Sequence, residues 1–583
     1  MMNANTTHEK ELTGYPSIDK PWLKYYSEEA INAPLPECTI YEYLWENNKD
    51  YLDDIALIYF GKKITYGELL ENIDKAARAF LSLGLNAGDV CTVVSISCVN
   101  SVIVFYALNK IGAISNYINA IASEDEFRTY FSEARSKCIV TLDLFAEKVI
   151  KSLDASVTKN VVVFSLADYM PKMTSIGYKL KFPKINLEYS NCIMWSDFIS
   201  KSANSESDEF KHGADTVSIW AHTGGTTGFP KTVLLTDKAY NSVVMQYMQS
   251  MRHKRGEVFL NIIIPFVVYG MLTCLHMPLC LGLTVVIIPK FEAKDWIKYI
   301  TVYHPNHIAG IPSYYSPMLC DPNFKSMDLS EIITFAAGGD GLNEHLENDL
   351  NAFLHQHGSK AQLIKGYGMT EVCSSAVTAF GDYSKIGSVG IPLVKNNIKA
   401  YDAEKKCECK YGEVGEIMLS SPSLMVCYKN NDKETNDLIS VDDNNTQWIH
   451  TGDLGYIDEQ GFLFLMGRIK RVIFVGPEGM AYKIFPKTIE DVIVTVQDIL
   501  DTCVVSTMTA NGFAPLAFLV VKHETTKSSE EIISVVKETC DTQLPDYLHP
   551  FDYAIIDELP KTSIGKIDYG ALEKMAENRQ QGE

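Results

Sequence analysis

The sequence predicts an α/β protein with a large N-terminal domain built on mostly parallel sheets and a small C-terminal α/β domain. A chain of 583 residues is longer than one hydrophobic core usually organises, so at least two domains are expected. Through about residue 450, short apolar runs alternate with amphipathic segments, as strands and helices do in parallel sheets. The content of 46% hydrophobic and 21% charged residues is ordinary for a globular protein.

The first elements illustrate this alternation. Residues 90–97 form an apolar run that predicts a buried strand, residues 101–114 predict the helix after it, and residues 116–119 begin the next strand. Further along, the polar segment 202–211 predicts a loop just before a strand at residues 216–222.

Residues 258–289 contain no Asp, Glu, Lys or Arg, and the run is long enough to span a bilayer. Two prolines and two glycines interrupt it, however, and its two ends are rich in Ile and Val. This pattern favours strand–helix–strand inside a parallel sheet, and no membrane span is expected.

The N-terminal residues 1–20 are polar and lack the apolar core of a signal peptide. The fourteen cysteines are scattered, and no Cys-x-x-Cys pair occurs among them. Free thiols in a reducing compartment are therefore expected, which predicts a cytoplasmic protein.

A net charge of −21 argues against a protein that binds nucleic acid, because phosphate contacts need a basic face. Any anionic substrate must therefore meet a local site rich in cations or amide groups.

The domain boundary is predicted near Gly467 and Arg468. Just before it, residues 454–457 and 462–466 predict a hairpin around a polar turn. The predicted division is therefore residues 1–467 and residues 468–583.

A glycine- and threonine-rich loop follows the strand at residues 216–222 and carries the strongest local signal. Its glycines allow tight turns that present N–H groups to an anion, and its hydroxyls and lysine add donors and charge, which suits a nucleotide triphosphate. The usual phosphate loop has Gly before the lysine, whereas here Pro230 stands there, and a plain flexible loop is the alternative. The candidate residues are Thr223, Gly224, Gly225, Thr226, Thr227, Gly228 and Lys231.

A second motif spans residues 366–371. The ring of Tyr367, followed by Gly368, can stack on a purine, Thr370 can donate to a phosphate, and Glu371 can hold a magnesium ion. The alternative is a surface turn with a packed tyrosine. Upstream, backbone can approach a small ligand at Gly338, Gly339 and Asp340.

Three further motifs are weaker when taken singly. In Thr451-Gly452-Asp453, the carboxylate of Asp453 can accept both hydroxyls of a ribose, but such turns are common. Arg468 can reach a phosphate or a ribose, but a run of cations is more often a solvated face. Lys566, on a glycine-bearing loop, can reach a developing negative charge, but surface lysines are frequent.

Together, these five motifs in this order resemble the signature series of the acyl-adenylate-forming superfamily, which includes acyl-CoA synthetases, adenylation domains of non-ribosomal peptide synthetases, and luciferases. The resemblance runs from Thr65-Tyr66-Gly67-Glu68-Leu69 to Lys566 and so covers nearly the whole chain. It implies an enzyme that activates a carboxylic acid with ATP and Mg²⁺ and passes the acyl group to coenzyme A. It also implies that the C-terminal domain is mobile.

The resemblance assigns a role to each motif, with the glycine- and threonine-rich loop on the ATP phosphates. The resemblance also implies that Tyr367 contacts adenine, that Thr370 contacts the α-phosphate and that Glu371 ligates magnesium. Asp453 is implied to bind the ribose hydroxyls, with Arg468 beside it. Lys566 is implied to contact the carboxylate and the α-phosphate, and Lys470 to occupy the hinge position.

The chain departs from the family pattern in places that bear on its substrates. Gly224 replaces a common serine, and this form also occurs among fatty acyl-CoA synthetases. The element at residues 265–268 lacks the histidine that is frequent there. The loop at residues 475–481 is longer than usual, in the region that lines the pantetheine passage of relatives. The thiol acceptor is therefore either coenzyme A or the pantetheine of a carrier protein.

No acidic residue occurs between Val258 and Phe291, so a substrate ammonium would lack a counter-charge there. An aliphatic or aromatic acid without an α-amine is therefore expected. Residues that either line its pocket or only pack the core are Phe266, Val267, Val268, Tyr269 and Met271.

Three functions follow from the sequence. The first is an acid–thiol ligase that uses coenzyme A, and the second is an acyl-AMP ligase that loads a carrier protein. The third, a nucleotide-binding homologue without catalysis, is disfavoured because Lys231, Glu371, Asp453 and Lys566 are all present.

Overall fold

The structure, a computed structural model, describes residues 12–182, 191–204, 212–223, 230–380, 383–475, 482–509, 512–522, 525–562 and 566–581. The chain forms two compact units. The larger unit consists of Asn32–Ser384 and Pro422–Thr435, and the smaller unit of Met1–Ile31, Lys385–Ser421 and Asn436–Glu583.

The strands, numbered in chain order, are β1 (Ile55–Tyr59), β2 (Lys62–Thr65), β3 (Val90–Val94), β4 (Ile114–Ile118), β5 (Cys138–Leu142), β6 (Asn160–Phe164), β7 (Cys192–Met194), β8 (Val217–His222), β9 (Thr232–Thr236), β10 (Val258–Asn261), β11 (Thr284–Ile287), β12 (His307–Gly310), β13 (Thr334–Gly338), β14 (Leu363–Tyr367), β15 (Val377–Thr378), β16 (Ile391–Pro392), β17 (Asn397–Asp402), β18 (Cys407–Glu408), β19 (Gly415–Ser420), β20 (Ile439–Val441), β21 (Gln447–Ile457), β22 (Leu463–Arg468), β23 (Ile473–Val475), β24 (Tyr482–Ile484), β25 (Ile499–Thr509), β26 (Gly512–Val521) and β27 (Asp552–Ile556).

The α-helices are α1 (Pro16–Asp19), α2 (Glu28–Asn32), α3 (Ile40–Asn48), α4 (Tyr66–Ser82), α5 (Val99–Lys110), α6 (Glu124–Ala134), α7 (Asp143–Ser152), α8 (Lys172–Lys181), α9 (Trp195–Ser200), α10 (Asp237–Met248), α11 (Met277–Cys280), α12 (Trp296–Tyr303), α13 (Pro312–Cys320), α14 (Glu344–Gln356), α15 (Asp432–Leu438), α16 (Pro486–Ile493), α17 (Ser529–Gln543) and α18 (Tyr569–Gln581).

Two sheets organise the larger unit. One has the strand order β7-β6-β5-β3-β4-β8-β9, in which only the last pair, β8 and β9, is antiparallel. In the other, β14, β13, β12, β10, β11 and β1 lie side by side and parallel, while β2 and β15 pair with them antiparallel. The predicted mostly parallel sheets are therefore confirmed.

The uncharged run at residues 258–289 folds as strand, helix and strand. β10 and β11 are adjacent parallel strands, and a π-helix (Tyr269–His276) continues into α11 between them. A Cβ atom at Gly270 would lie 2.1 Å from the carbonyl oxygen of Ile264, so only glycine allows this start of the π-helix. Among the described residues, no helix is long and apolar enough to cross a membrane.

The early motif at residues 65–69 begins a helix. The hydroxyl of Thr65 accepts from the backbone N–H of Glu68, and the Glu68 carboxylate accepts from the Thr65 N–H, which is a capping box at the start of α4. The fully buried Tyr66 donates to the carbonyl oxygens of Leu279 and Leu283. These residues stabilise the fold.

The smaller unit contains the predicted hairpin, in which β21 and β22 pair antiparallel. It also contains β25, β26 and β27 with the helices α16, α17 and α18, so a C-terminal α/β element follows the hairpin as expected. The predicted boundary after Gly467 falls inside β22, and a division of the chain at residue 467 stays a prediction.

Arg471 is an internal anchor of this unit. Its guanidinium donates to Oε1 of Glu490 at 2.7 Å and to the carbonyl oxygen of Val504 at 3.2 Å. It also lies 3.9 Å from the ring centroid of Tyr569. Arg471 thus joins the start of β23 to α16, β25 and α18.

Candidate functional site

The glycine- and threonine-rich loop connects the antiparallel strands β8 and β9, and hydrogen bonds close its base. The backbone N–H of Thr223 donates to the carbonyl oxygen of Lys231 at 3.0 Å, and the N–H of Lys231 donates to Oγ1 of Thr223 at 3.0 Å. The predicted loop residues Gly224, Gly225, Thr226, Thr227 and Gly228 lie outside the described part of the chain. The two ends of the loop are therefore held together at its base.

His222 supports this base from inside the unit. Its ring shares a hydrogen bond of 2.7 Å with the side-chain oxygen of Asn116 and lies edge-on to the ring of Tyr130. Burial lowers the pKa of His222 to about 3. The imidazole is therefore neutral at physiological pH and acts as a structural support for the loop.

Lys231 extends its ammonium group towards an acidic and an aromatic side chain. It forms an ion pair with Glu434 and lies 4.4 Å from the ring centroid of Tyr428. The segment that carries Tyr428 is held beside β9, because Leu234 donates to the carbonyl oxygen of Cys427 at 3.0 Å and Lys429 donates to that of Thr232 at 2.9 Å.

Glu371 joins the same cluster. The phenol of Tyr428 donates a hydrogen bond to Oε1 of the buried Glu371. Burial, followed by the charge of Glu371, raises the pKa of Tyr428 well above its usual range, so the phenol stays protonated and remains a donor. Tyr428 thus links Lys231 to Glu371, two residues that the sequence placed in different motifs.

Tyr428 was missed by the sequence analysis. It lies 57 residues after Glu371 and belongs to no glycine-rich or charged motif that would have drawn attention to it. Only its contacts in the fold identify it.

The turn that carries Thr370 and Glu371 depends on a glycine. A Cβ atom at Gly368 would lie 1.8 Å from the carbonyl oxygen of Ser374, so the chain can fold back here only with glycine. The N–H of Ala376 donates to the carbonyl oxygen of Tyr367 at 2.9 Å and closes the turn. The short 3₁₀ turn Thr370–Val372 then places Glu371 towards Tyr428.

Gly338 and the Tyr367 motif lie at one edge of the same sheet. β13 and β14 are parallel neighbours with Gly338 paired with Gly366, so both strands end at the same side. Gly339 has a φ of +85°, which glycine adopts readily. Asp340 accepts a hydrogen bond from the N–H of Gly341 at 2.8 Å. Ligands of α/β sheets commonly bind at this carboxyl edge of the strands.

The apolar residues proposed for the acid pocket lead into the π-helix. Tyr269 lies beside Gly338, because a Cβ atom there would be 3.7 Å from the tyrosine ring. Val268 and Met271 are buried, whereas Phe266 and Val267 are half-buried. Tyr269 is thus the member of this set that the structure brings next to the predicted ligand edge.

Two cysteines belong to these segments. Cys274 lies in the π-helix and Cys373 directly follows the turn that holds Glu371, and both are buried. Burial raises the pKa of each thiol well above its usual range. All fourteen cysteines of the chain are free thiols, as predicted.

Asp453 and Arg468 face each other across β21 and β22 in the smaller unit. Nε of Arg468 lies 2.8 Å from Oδ1 of Asp453, and the aspartate side chain is 11% exposed while the arginine side chain is 59% exposed. The N–H of Asp453 donates to Oγ1 of Thr451 at 3.1 Å, and that hydroxyl donates to the carbonyl oxygen of Ile417 at 2.6 Å. This motif therefore presents one carboxylate at a fixed position.

Lys470 and Lys566 also belong to the smaller unit. Lys470 is exposed in the short 3₁₀ turn Ile469–Arg471. Lys566 is half-buried, and its N–H donates to Oγ1 of Thr562 at 3.3 Å while the N–H of Thr562 donates to its carbonyl oxygen at 2.8 Å. These two hydrogen bonds hold Lys566 beside Thr562.

The donor set suits a magnesium ion that is bound together with a polyphosphate. Among the described residues, no group of three or more His, Cys, Asp and Glu side chains could hold a metal ion by itself. Mg²⁺, however, is usually held by one or two carboxylates together with substrate phosphates and water. Glu371 next to the base of the glycine- and threonine-rich loop meets that requirement.

Comparison with known proteins identifies the family of the chain. The AMP-binding enzyme family matches residues 44–429, and the C-terminal domain of AMP-binding enzymes matches residues 488–566. A long-chain-fatty-acid–CoA ligase of Bacillus subtilis (strain 168) is 28% identical over 562 residues, which cover 94% of this chain and 96% of the relative. The 4-coumarate–CoA ligase 3 of Arabidopsis thaliana is 26% identical over 545 residues, covering 91% and 90% of the two chains.

A solved structure shares the fold. The anthranilate CoA ligase AuaEII, in complex with anthranoyl-AMP, superposes with a TM-score of 0.80 at 19% identity and covers 95% of this chain and 99% of its own. The family match extends over more than half of the chain and includes the loop, the Tyr367–Glu371 turn and Tyr428. On these grounds, the chain belongs to the AMP-binding enzyme family.

Proposed function

We propose that the protein is an AMP-forming acid–thiol ligase that converts a carboxylic acid and ATP into an acyl-adenylate and pyrophosphate, and then transfers the acyl group to coenzyme A. The observation that carries this proposal is the cluster of Lys231, Tyr428 and Glu371 at the base of the glycine- and threonine-rich loop. It combines a cation, a buried carboxylate and a loop held closed at its base, as a bound nucleotide triphosphate with magnesium requires. The names of the relatives, which are CoA ligases, support the choice of acceptor.

Within this proposal, the loop from Thr223 to Lys231 holds the ATP phosphates, Tyr367 lies against adenine, and Thr370 contacts the α-phosphate. Glu371 is the protein ligand for magnesium, which supplies positive charge to the phosphate oxygens when bound. For Lys231 to reach a phosphate, its ammonium must exchange the Glu434 carboxylate for phosphate oxygens.

The smaller unit supplies the other groups. Asp453 accepts the ribose hydroxyls, and Arg468, which already pairs with it, limits its rotation. Attack of a carboxylate on the α-phosphorus brings two anions together, and Lys566 lowers the barrier by meeting the charge as it develops. We further propose that residues 468–583 move as a lid about Lys470 between the two half-reactions.

The acid is proposed to be aliphatic or aromatic without an α-amine. The segment from β10 through the π-helix to β11 contains no acidic residue that could pair with an ammonium group. Tyr269 beside Gly338 places an aromatic, apolar surface at the edge where the nucleotide is proposed to bind.

The test is pyrophosphate release on a panel of carboxylic acids, short to long and aliphatic to aromatic, each with and without coenzyme A. Sustained release that requires coenzyme A is the expected result, and the best acid defines the substrate class. A different result would be a single burst of pyrophosphate that continues as turnover only when a pantetheine-bearing carrier protein is added. The acceptor would then be that carrier protein and not coenzyme A. Lack of ATP binding by calorimetry would reject the proposal.

A further inference from the structure

Helix α8 exposes an apolar stripe to solvent. Met173, Ile176 and Leu180 are 83%, 57% and 80% exposed, respectively. Their spacing of three and four residues places them within an arc of about 60° on the helix surface. Single exposed apolar side chains are ordinary, but three of them along one helix face indicate an interaction surface.

The orientation of the helix is set from its other side. Tyr178 is half-buried on the face opposite the stripe, and its ring lies 4.9 Å from that of Phe182. Burial, with Asp143 and Asp168 nearby, raises the pKa of Tyr178 to about 12. The phenol oxygen of Tyr178 is buried, so this face of the helix lies against the unit and the stripe faces outward.

Lysines flank the stripe on both sides. Lys172 and Lys179 lie along one border and Lys181 along the other, and all three are exposed. From Tyr169 to Phe182 the chain contains no acidic residue, although the whole chain carries a net charge of −21. A positively charged apolar face on an acidic protein is complementary to an anionic apolar surface.

We propose that α8 is an interfacial helix that docks the protein on an anionic lipid bilayer. Met173, Ile176 and Leu180 enter the boundary between headgroups and acyl chains, and the three lysines contact lipid phosphates while their aliphatic stems lie along the stripe. The helix has 10 residues and lies in the plane of the interface, so the docking is reversible.

A second copy of the chain is a poorer occupant. Two such helices packed together would bring their lysines close to each other, and like charges repel. Three side chains per copy also provide far less than the roughly 1,200 Å² that a specific stable interface buries. The bilayer offers an apolar layer for the stripe and negative charge for the lysines.

The test is co-sedimentation of the full-length protein with large vesicles made of equal parts phosphatidylcholine and phosphatidylglycerol, or of phosphatidylcholine alone. We expect binding to the anionic vesicles that weakens as salt rises from about 50 to about 300 mM. The variant M173S/L180S should lower the partition coefficient about tenfold or more. K172Q/K179Q/K181Q should remove the preference for anionic vesicles. The control is Val302→Ser on α12, where the valine is 58% exposed, about as much as Ile176 on the stripe, and this variant should bind as the wild type does.

Failure of the wild type to sediment with anionic vesicles, or equal binding by M173S/L180S, would overturn the proposal. So would a dimer in analytical ultracentrifugation that M173S/L180S dissociates, because the stripe would then be a protein interface. The changed residues lie outside the proposed catalytic site, so pyrophosphate release in solution tests the proposed function separately.

Discussion

The phenol of Tyr428 donates a hydrogen bond to the carboxylate of Glu371 across 57 residues of sequence. The same ring faces the ammonium group of Lys231, so one side chain contacts both charged groups of the proposed phosphate and metal site. The hydrogen bond engages one carboxylate oxygen of Glu371, and the other is the oxygen that we propose binds magnesium.

Tyr428→Phe removes this hydrogen bond and keeps the ring under Lys231. We expect the magnesium concentration for half-maximal ATP binding to rise about tenfold, because groups that orient a metal ligand contribute to metal affinity. Calorimetric titration of ATP at several magnesium concentrations measures this without turnover. Tyr411→Phe, which removes a similar bond to Asp19, is the control. Tyr428→Phe should have little further effect on the magnesium dependence in a Glu371→Gln background. If it has the same effect there as in the wild type, Tyr428 does not act through Glu371.

Lys566→Ala should slow adenylation about 10²- to 10³-fold, as the loss of a comparable charge-stabilising group does. Thioester formation from a supplied acyl-adenylate should be affected much less. Single-turnover assays of the two half-reactions measure both effects, and Lys561→Ala, at an exposed lysine nearby in the sequence, is the control. Similar losses of rate in the two half-reactions would show that Lys566 has no specific role in adenylation.

Gly368→Ala should destabilise the turn that carries Glu371, because the new methyl group would lie 1.8 Å from the carbonyl oxygen of Ser374. Overpacking of this kind costs about 1–3 kcal/mol. Thermal melting and ATP binding should both be impaired. In Gly366→Ala the nearest contact would be an ordinary 3.8 Å to the Thr378 hydroxyl, so that variant should stay close to wild type. A Gly368→Ala protein with unchanged melting and ATP binding would contradict the geometry.

Asp453→Asn should raise the KM for ATP about tenfold, because hydrogen bonds to a charged acceptor contribute about 1.5–3 kcal/mol. Arg468→Gln should change the melting temperature little, since the arginine side chain is 59% exposed and exposed ion pairs contribute about 0–1 kcal/mol. Asp458→Asn, at the turn of the same hairpin, controls for a general effect of lost charge. An unchanged KM in Asp453→Asn would exclude the ribose role.

The low pKa values of the buried His222 and His276 predict that the protein loses stability in mild acid. Burial lowers the pKa of each to about 3, whereas an unfolded histidine titrates near 6.5, so the unfolded chain binds more protons between these values. Stability should therefore fall as the pH drops below about 6.5, by about 1.4 kcal/mol per pH unit for each histidine. Urea unfolding between pH 7.5 and 5.5 measures the slope. His276→Gln should reduce it, whereas His345→Gln, at an exposed position, should leave it unchanged.

The fold class could be predicted because both sheets have strands buried on both faces, which appear in sequence as continuous apolar runs. The ends of elements were less accurate. The strand predicted for residues 90–97 ends at Val94, where its pairing with β4 and β5 ends, although Ile96 and two buried serines follow it. Helix α5 is buried on nearly all sides, so it lacks the periodicity that marks a helix boundary.

The family and the acid–thiol ligase assignment were predictable because each motif is short and local, and both are confirmed by the comparisons. The roles of the individual site residues stay predictions. Relationships between distant segments could not be predicted in the same way. The run of cations after Gly467 contains an exposed Lys470 and a largely buried Arg471, and only the positions of Glu490 and Tyr569 distinguish the two.

The burial of Cys274 and Cys373 has a chemical consequence for an enzyme of this kind. The proposed acyl-adenylate is an electrophile that reacts with thiolates, and Cys373 stands two residues after Glu371. Because its pKa is raised by burial, this thiol stays protonated and is a poor nucleophile. Cys274 and Cys373 are therefore poor competitors for the thiol of the proposed acceptor.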